Sequence, residues 1–223
     1  MQRECGQRAQ IAGTTVMWAC SAESVVYRSV PRRRLISTAS TGRRRELSGA
    51  GAAAVTGSLG ARFRWFVAEA LGVAPRDVVG FVLGTHGDTM VPVLSLTSVN
   101  GVPVPNLLAE AELRAIVDRT RAGGAEIVNL LKSGSAYYAP SASQAELLRA
   151  VVHDEHRLLS VTTALDGPYG YRDLYLGVPA RIGRGGVESV YEVDLTPGER
   201  AALDASAAAV KADLALLAAL PAP

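Results

Sequence analysis

The main body of this chain has no cysteine. Cys5 and Cys20 both stand in the first fifty residues, at a spacing that fits neither a zinc cluster nor a redox pair. A reducing cytoplasm is therefore the expected setting. No apolar run approaches the length of a membrane span, so no membrane partner is expected. Nor does a G-x-G-x-x-G stretch sit between a strand pattern and a helix pattern, which removes the usual phosphate cradle for a dinucleotide. GRGG at 183–186 joins two strand-like segments and reads as a hairpin turn. An overall surplus of charge is also lacking. Residues 1–50 hold nine Arg against three Glu, a net of +6 in a chain whose total is +2, so residues 51–223 carry −4. Basic character is confined to the front, and no nucleic-acid partner is expected for the whole.

The front segment, 1–56, shows no sustained period. IAGTTVMWACSA (11–22) is short, is interrupted by Gly and Thr, and follows Glu4, which makes a poor signal-peptide core. The Arg- and Ser-rich composition fits a transit peptide loosely. The expected reading is a basic leader, disordered or non-native, with the Arg triplets at 32–34 and 43–45 solvated.

Residues 57–219 carry regular patterns. Phe63, Phe66, Val67, Ala70 and Leu71 form one helical stripe, with Gly72 as its stop. DVVGFVLG (77–84) and VPVLSLTSV (91–99) read as strands around the turn GTHGD (84–88), and NGVPVPN (100–106) reads as a turn. A long helix over 107–132 places Leu113, Ile116, Val117, Thr120, Gly124, Ile127 and Leu131 on one face. Gly123 and Gly124 each weaken it by about 1 kcal/mol relative to Ala, which points to a bend or to a close backbone approach. A further helix ends near Val152, and strands follow at 157–165, 173–182 and 187–195. In the closing helix Thr196 caps, Pro197 takes the first position and Glu199 completes a capping box, with Leu203, Val210, Leu214 and Leu217 facing the core. Helix, two strands, two helices, three strands, helix is an α+β order.

Three groups invite a chemical reading. His86 sits in a turn after an apolar run, where a residue with a near-neutral pKa suits proton transfer. Spacing alone favours a structural role. Arg62 falls near the expected first turn of its helix, where a cation opposes the macrodipole unless it grips an anion beside the free N–H groups. A solvated arginine is the competing reading. His153 and His156, with acids between them, fit a polar helix end better than a metal site, and Tyr137 and Tyr138 fit core or interface.

G-T-H-G-D-T-M-V-P at 84–92 resembles the active-site segment of the malate and lactate dehydrogenase family, in the form of its bacterial, lactate-dehydrogenase-like malate branch. ARFRWFVAEALGV (61–73), IVDRTRAGGAEIVNLLKSGSAYYAPSAS (116–143), LYLGVPARIG (174–183) and GGVESVYEVDL (185–195) agree with that family in order. The resemblance covers roughly 57–217, the substrate-binding half. It implies NAD-linked interconversion of malate and oxaloacetate, with His86 as the catalytic acid–base, Arg62 as the bidentate anchor of the substrate carboxylate, and Ser135 lining the pocket beside the nicotinamide. It also implies self-association; no metal site is expected from the residues themselves.

Two departures qualify those expectations. The family reads L-D-S-A-R-F-R where this chain reads Leu59-Gly60-Ala61-Arg62-Phe63-Arg64, so the aspartate that holds the histidine's other nitrogen is missing. Such a carboxylate fixes the tautomer and stabilises the imidazolium, which makes His86 a poorer acid here; Asp88 is the nearest substitute in sequence. The family also carries a dinucleotide-binding domain and a mobile substrate loop upstream, where this chain has 56 unrelated-looking residues. The expected product is the catalytic domain without its Rossmann partner, as from a truncation joined to foreign sequence, with weak activity or none. A non-enzymatic remnant or interaction protein is the alternative.

Overall fold

The computed structural model describes residues 7–11, 14–18, 50–133 and 138–219, with side chains from residue 59 onward except at 217 and 218. It divides into two units, Met1–Ser48 and Gly49–Pro223. In the first, β1 (Gln7–Ile11) and β2 (Thr14–Trp18) pair antiparallel, Gln7 opposite Trp18. The Arg triplets lie outside the described residues.

The second unit starts with α1 (Ala50–Leu71). This helix begins well before the expected start, because the alanine-rich run at 50–55 that reads as a low-complexity tail also has the highest helix propensity. Leu59, Phe63, Phe66, Val67 and Ala68 are buried, whereas Ala70 of the expected stripe is exposed. The helix ends in a Schellman motif: Gly72 takes φ +66, its N–H donates to Glu69 O, and the Val73 N–H donates to Ala68 O.

The expected strands at 77–84 and 91–99 are shorter and broken. Strands β3 (Val78–Val79), β4 (Val82–Leu83), β5 (Val91–Pro92), β6 (Ser98–Val99) and β7 (Val102–Pro103) form two small antiparallel sheets, β3-β6-β7 and β4-β5. Each apolar run therefore changes partner midway. At Gly80 the backbone lies so close to Thr97 and Phe63 that a Cβ would come within 2.9 Å of Thr97 Oγ1. Between β5 and β6 a 3-10 turn, Leu94–Leu96, replaces the ladder. Asn100 and Gly101, both at positive φ, close the β6–β7 hairpin.

Helix α2 (Glu110–Leu131) buries Leu113, Ile116, Thr120 and Gly123. Arg119 packs it onto α1, its guanidinium 4.2 Å from the Phe66 ring centre and paired with Glu69. Leu131, expected in the core, is exposed together with Val128 and Leu130, which is 74 % exposed. The last turns of α2 thus run beyond the packed part of the unit.

α3 (Tyr138–Val152) leads into β8 (Arg157–Asp166), β9 (Arg172–Gly183) and β10 (Gly186–Val190), a three-stranded antiparallel sheet in the order β10-β9-β8. Gly183 pairs with Gly186 across the expected GRGG hairpin. The third strand stops at Val190, short of the expected 195, because the chain turns to wrap Tyr169: its hydroxyl donates to Tyr191 O and accepts the Val193 N–H. Central β9 is buried on both faces over Leu176–Ala180.

α4 (Pro197–Ala219) covers the sheet through Leu203 and Ala207. Leu214, expected to face the core, is exposed, and Leu217 lies outside the described side chains. The capping box forms as expected, with Thr196 N–H donating to Glu199 Oε2 and Glu199 N–H donating to Thr196 Oγ1. Glu199 also accepts the N–H and Oγ–H of Ser95 at 3.0 and 2.7 Å. Burial pushes its carboxyl upward, but these hydrogen bonds outweigh it and hold the group below its ordinary value. A depressed native pKa gives stability that is present above the unfolded value near 4.3 and is lost as pH falls through the native one. Glu199→Ala should cost about 2 kcal/mol at pH 7. The difference from wild type in urea denaturation should shrink towards pH 3. No helix among the described residues is long and apolar enough to cross a membrane.

Candidate active site

The sequence after β4 forms a hairpin loop, residues 84–90, because Leu83 pairs with Val91 and the chain must reverse between them. Its base is fastened to the central strand: the Gly84 N–H donates to Gly177 O at 2.9 Å and the Gly177 N–H donates to Gly84 O at 3.0 Å. A turn from Gly87 to Met90 closes the tip, the Met90 N–H donating to Gly87 O. His86 is displayed from this loop, its side chain open to solvent.

Arg62, on α1, reaches His86 with its charge through space. It lies in the middle of the helix, not in the first turn, so the expected pairing with free helical N–H groups is corrected: the N-terminal extension from Ala50 moves them away. A different feature seats it. Gly123 of α2 faces the Arg62 stem, and a Cβ there would stand 2.6 Å from Arg62 Cδ and 3.2 Å from Nε. The two weak glycines of the long helix thus resolve into a close approach, with Gly123 as the notch. Sequence patterning marked the position without showing what filled it.

The guanidinium is half-buried. Burial lowers its pKa and Glu126, on α2, partly opposes that through space. Among the described residues it has no ion-pair partner. An arginine so placed has unused fork geometry for a carboxylate. Although His86 is exposed at the loop tip, partial desolvation by the atoms packed around it comes first and the Arg62 charge second in holding it below its ordinary value. The imidazole is therefore favoured in its neutral form at neutral pH, with the Arg62 charge opposing its protonation. Arg62→Gln should raise the His86 pKa, measured by NMR of the ring. A depressed native pKa also means that the histidine's contribution to stability is present above about 6.5 and is lost as pH falls through its native value. His86→Asn should remove that part of the acid sensitivity.

Counting back in the L-D-S-A-R-F-R pattern, the aspartate falls on Leu59, whose side chain is fully buried in the core. Among the described residues no carboxylate hydrogen-bonds the His86 ring. Asp88 is exposed in the same loop. Ser135 lies outside the described residues, as does Tyr137. Tyr138, expected in core or interface, is 82 % exposed. His153 and His156 do not act as a pair. His156 meets Glu188 across the sheet at 2.9 Å through Nδ1 and Asp154 at 3.8 Å through Nε2. These three groups come close enough to hold an ion. Arg181, however, already donates to the same Glu188 oxygen at 2.9 Å, so the cluster reads as an ion-pair network.

Every strand pair among the described residues is antiparallel. A dinucleotide cradle of the Rossmann type requires a parallel βαβ unit. The described residues therefore do not fit the pyrophosphate of NAD.

Residues 60–220 match the α/β C-terminal domain of lactate/malate dehydrogenases. The malate dehydrogenase of Chlorobium phaeobacteroides (strain DSM 266 / SMG 266 / 2430) is 50 % identical over 177 residues, 78 % of this chain and 57 % of that protein. That of Thermomicrobium roseum is 54 % identical over 170 residues, 74 % of this chain and 55 % of that protein. The malate dehydrogenase structure from Salinibacter ruber superposes with a TM-score of 0.70 at 48 % identity, covering 72 % of this chain and 53 % of that one. Lactate dehydrogenase from Eimeria maxima with NADH and oxamate gives 0.71 at 35 % identity, covering 74 % of this chain and 51 % of that one. The chain spans about half the length of the curated relatives it matches. With the α+β body, the HGD loop and the match over residues 60–220 in agreement, this chain belongs to the lactate/malate dehydrogenase family through its α/β C-terminal domain.

Proposed function

We propose that this chain carries the substrate half of an NAD-linked malate dehydrogenase, with Arg62 anchoring a carboxylate and His86 moving the proton of the neighbouring hydroxyl or ketone oxygen. The observation that carries this reading is a half-buried Arg62 guanidinium without an ion-pair partner among the described residues, set beside a neutral His86. The two are electrostatically linked. A carboxylate on Arg62 offsets the charge that depresses His86, so binding raises the pKa and prepares the ring to donate. Substrate binding and protonation of the acid are then a single coupled event. Ser135 completes the pocket wall in this proposal, and copies of the chain self-associate. NAD supplies the hydride when bound, and the pyrophosphate part of its site is not among the described residues.

Leu59 in place of a carboxylate argues for a weak acid–base centre. Together with the antiparallel pairing of every strand among the described residues, it favours a second reading in which the chain keeps the anion site and lacks turnover. NADH oxidation with oxaloacetate, with His86→Asn as control, separates the two. Turnover abolished by the substitution supports the enzyme. A folded protein that binds oxaloacetate without oxidising NADH supports the remnant. No oxaloacetate binding at all overturns both.

A further inference from the structure

The loop that displays His86 is narrow at its neck, and the neck is closed by hydroxyls. Ser206, in α4, is fully buried. Its Oγ accepts the Thr85 N–H at 2.9 Å. The same oxygen lies 3.3 Å from Thr85 Oγ1 and 3.5 Å from Thr89 Oγ1, and those two threonine hydroxyls bond each other. Thr85 and Thr89 flank His86, Gly87 and Asp88, so three hydroxyls form a clasp beneath the tip. Gly84 has no side chain where a Cβ would stand 2.6 Å from Ser206 Oγ, which is how the helix comes this close.

A polar group buried among Leu203 and Ala207 is costly unless its hydrogen bonds are made. Ser206 makes them only to this loop among the described residues. Gly87 takes φ +124, and the tip's own backbone hydrogen bond runs from Met90 N–H to Gly87 O, beyond His86. The hold comes from the residue immediately before His86, through α4.

We infer that Ser206 is a positioning residue: through the Thr85 N–H and the Thr85–Thr89 hydroxyl pair, it fixes the loop that carries His86 and so the placement of the His86 ring. The inference deepens the acid–base reading of His86 and rests on it for its catalytic meaning, but its test needs no turnover.

The test is NMR of the whole chain, following the His86 ring through a pH titration and the Thr85 amide through hydrogen exchange. In Ser206→Ala, Thr85 exchange should quicken roughly tenfold as its hydrogen bond is lost. The His86 pKa should rise towards its ordinary value, and it should no longer respond to Arg62→Gln. Thr97→Val, which removes another buried hydroxyl, bonded to Val93 O at 2.6 Å, controls for general loss of stability and should leave His86 unchanged. Thr89→Val opens the clasp from the loop side and should shift His86 in the same direction. It decides the matter alone if Ser206→Ala does not fold. A His86 titration unchanged in the folded clasp variants, with its response to Arg62→Gln intact, overturns the inference. So does an equal shift in Thr97→Val. Failure of turnover in every variant would tell against the enzyme reading and leave this one standing.

Discussion

Replacing Gly123 with alanine should weaken carboxylate binding about 10- to 100-fold in a chain that stays folded. The added methyl would occupy the space of the Arg62 stem, 2.6 Å from Cδ. That atom lies near the helix and not at the free end of the side chain, so the whole guanidinium must leave its seat. Helix α2 itself gains up to about 1 kcal/mol from the better propensity of alanine. Stability and binding should therefore move in opposite directions, which few substitutions produce. Misplacing an anchoring group by about 1 Å costs up to roughly a hundredfold in related settings, and a loss of 10- to 100-fold in oxaloacetate affinity is expected here. The His86 pKa should rise at the same time, because the cation that depresses it has moved. Gly124→Ala is the matched control. A Cβ there would meet Arg62 Nη1 at an ordinary 3.8 Å, so binding should be kept. Unchanged affinity in Gly123→Ala would remove Arg62 from the proposed anchor role.

The second large effect is on stability. Gly84→Ala combines two penalties at one position. The backbone stands at φ +85, which a residue with a Cβ adopts at a cost of about 1–3 kcal/mol, and the new carbon would come within 2.6 Å of Ser206 Oγ. The residue cannot move away freely, since its N–H and C=O both bond Gly177. A loss of about 3 kcal/mol or more is expected, read as a lower urea midpoint with an unchanged slope. A loss under about 1 kcal/mol would show that the β4–β5 loop yields, and that the close approach of α4 is not a constraint.

Elements set by neighbouring residues were legible in the sequence. The Thr196–Pro197–Glu199 start of α4 and the GRGG hairpin rest on chemistry within a few positions, and each forms as read. Of the turn expected over 100–106 only Asn100–Gly101 turns, Val102–Pro103 pairing as β7 and Val104–Asn106 forming a 3-10 helix. The runs 77–84 and 91–99 were misread because hydrophobicity reports burial and not pairing. It cannot show that Val79 ladders with Ser98 while Val82 ladders with Pro92. The start of α1 was misplaced because alanine and glycine repeats look alike in a tail and in a helix. At the site, the HGD motif and ARFR were visible, but the physical reason for Arg62 was not. Its seat is a notch in a distant helix, and its effect on His86 is a charge acting through space. Ser206 left no local signal: a serine in an alanine-rich helix is unremarkable until Thr85, 121 positions away in the chain, is brought against it.

That separation has a kinetic consequence. Contacts so remote in sequence close late, because the entropy of the intervening chain must be lost before they give anything back. The Ser206–Thr85 bond is of this kind, and so is the Gly84–Gly177 bridge. Interactions absent from the folding transition state leave the folding rate alone and act on the rate of unfolding. The loop that carries His86 is thus expected to settle late, and opening its clasp should speed unfolding of the unit while leaving the folding rate nearly unchanged, as a chevron of Ser206→Ala would read.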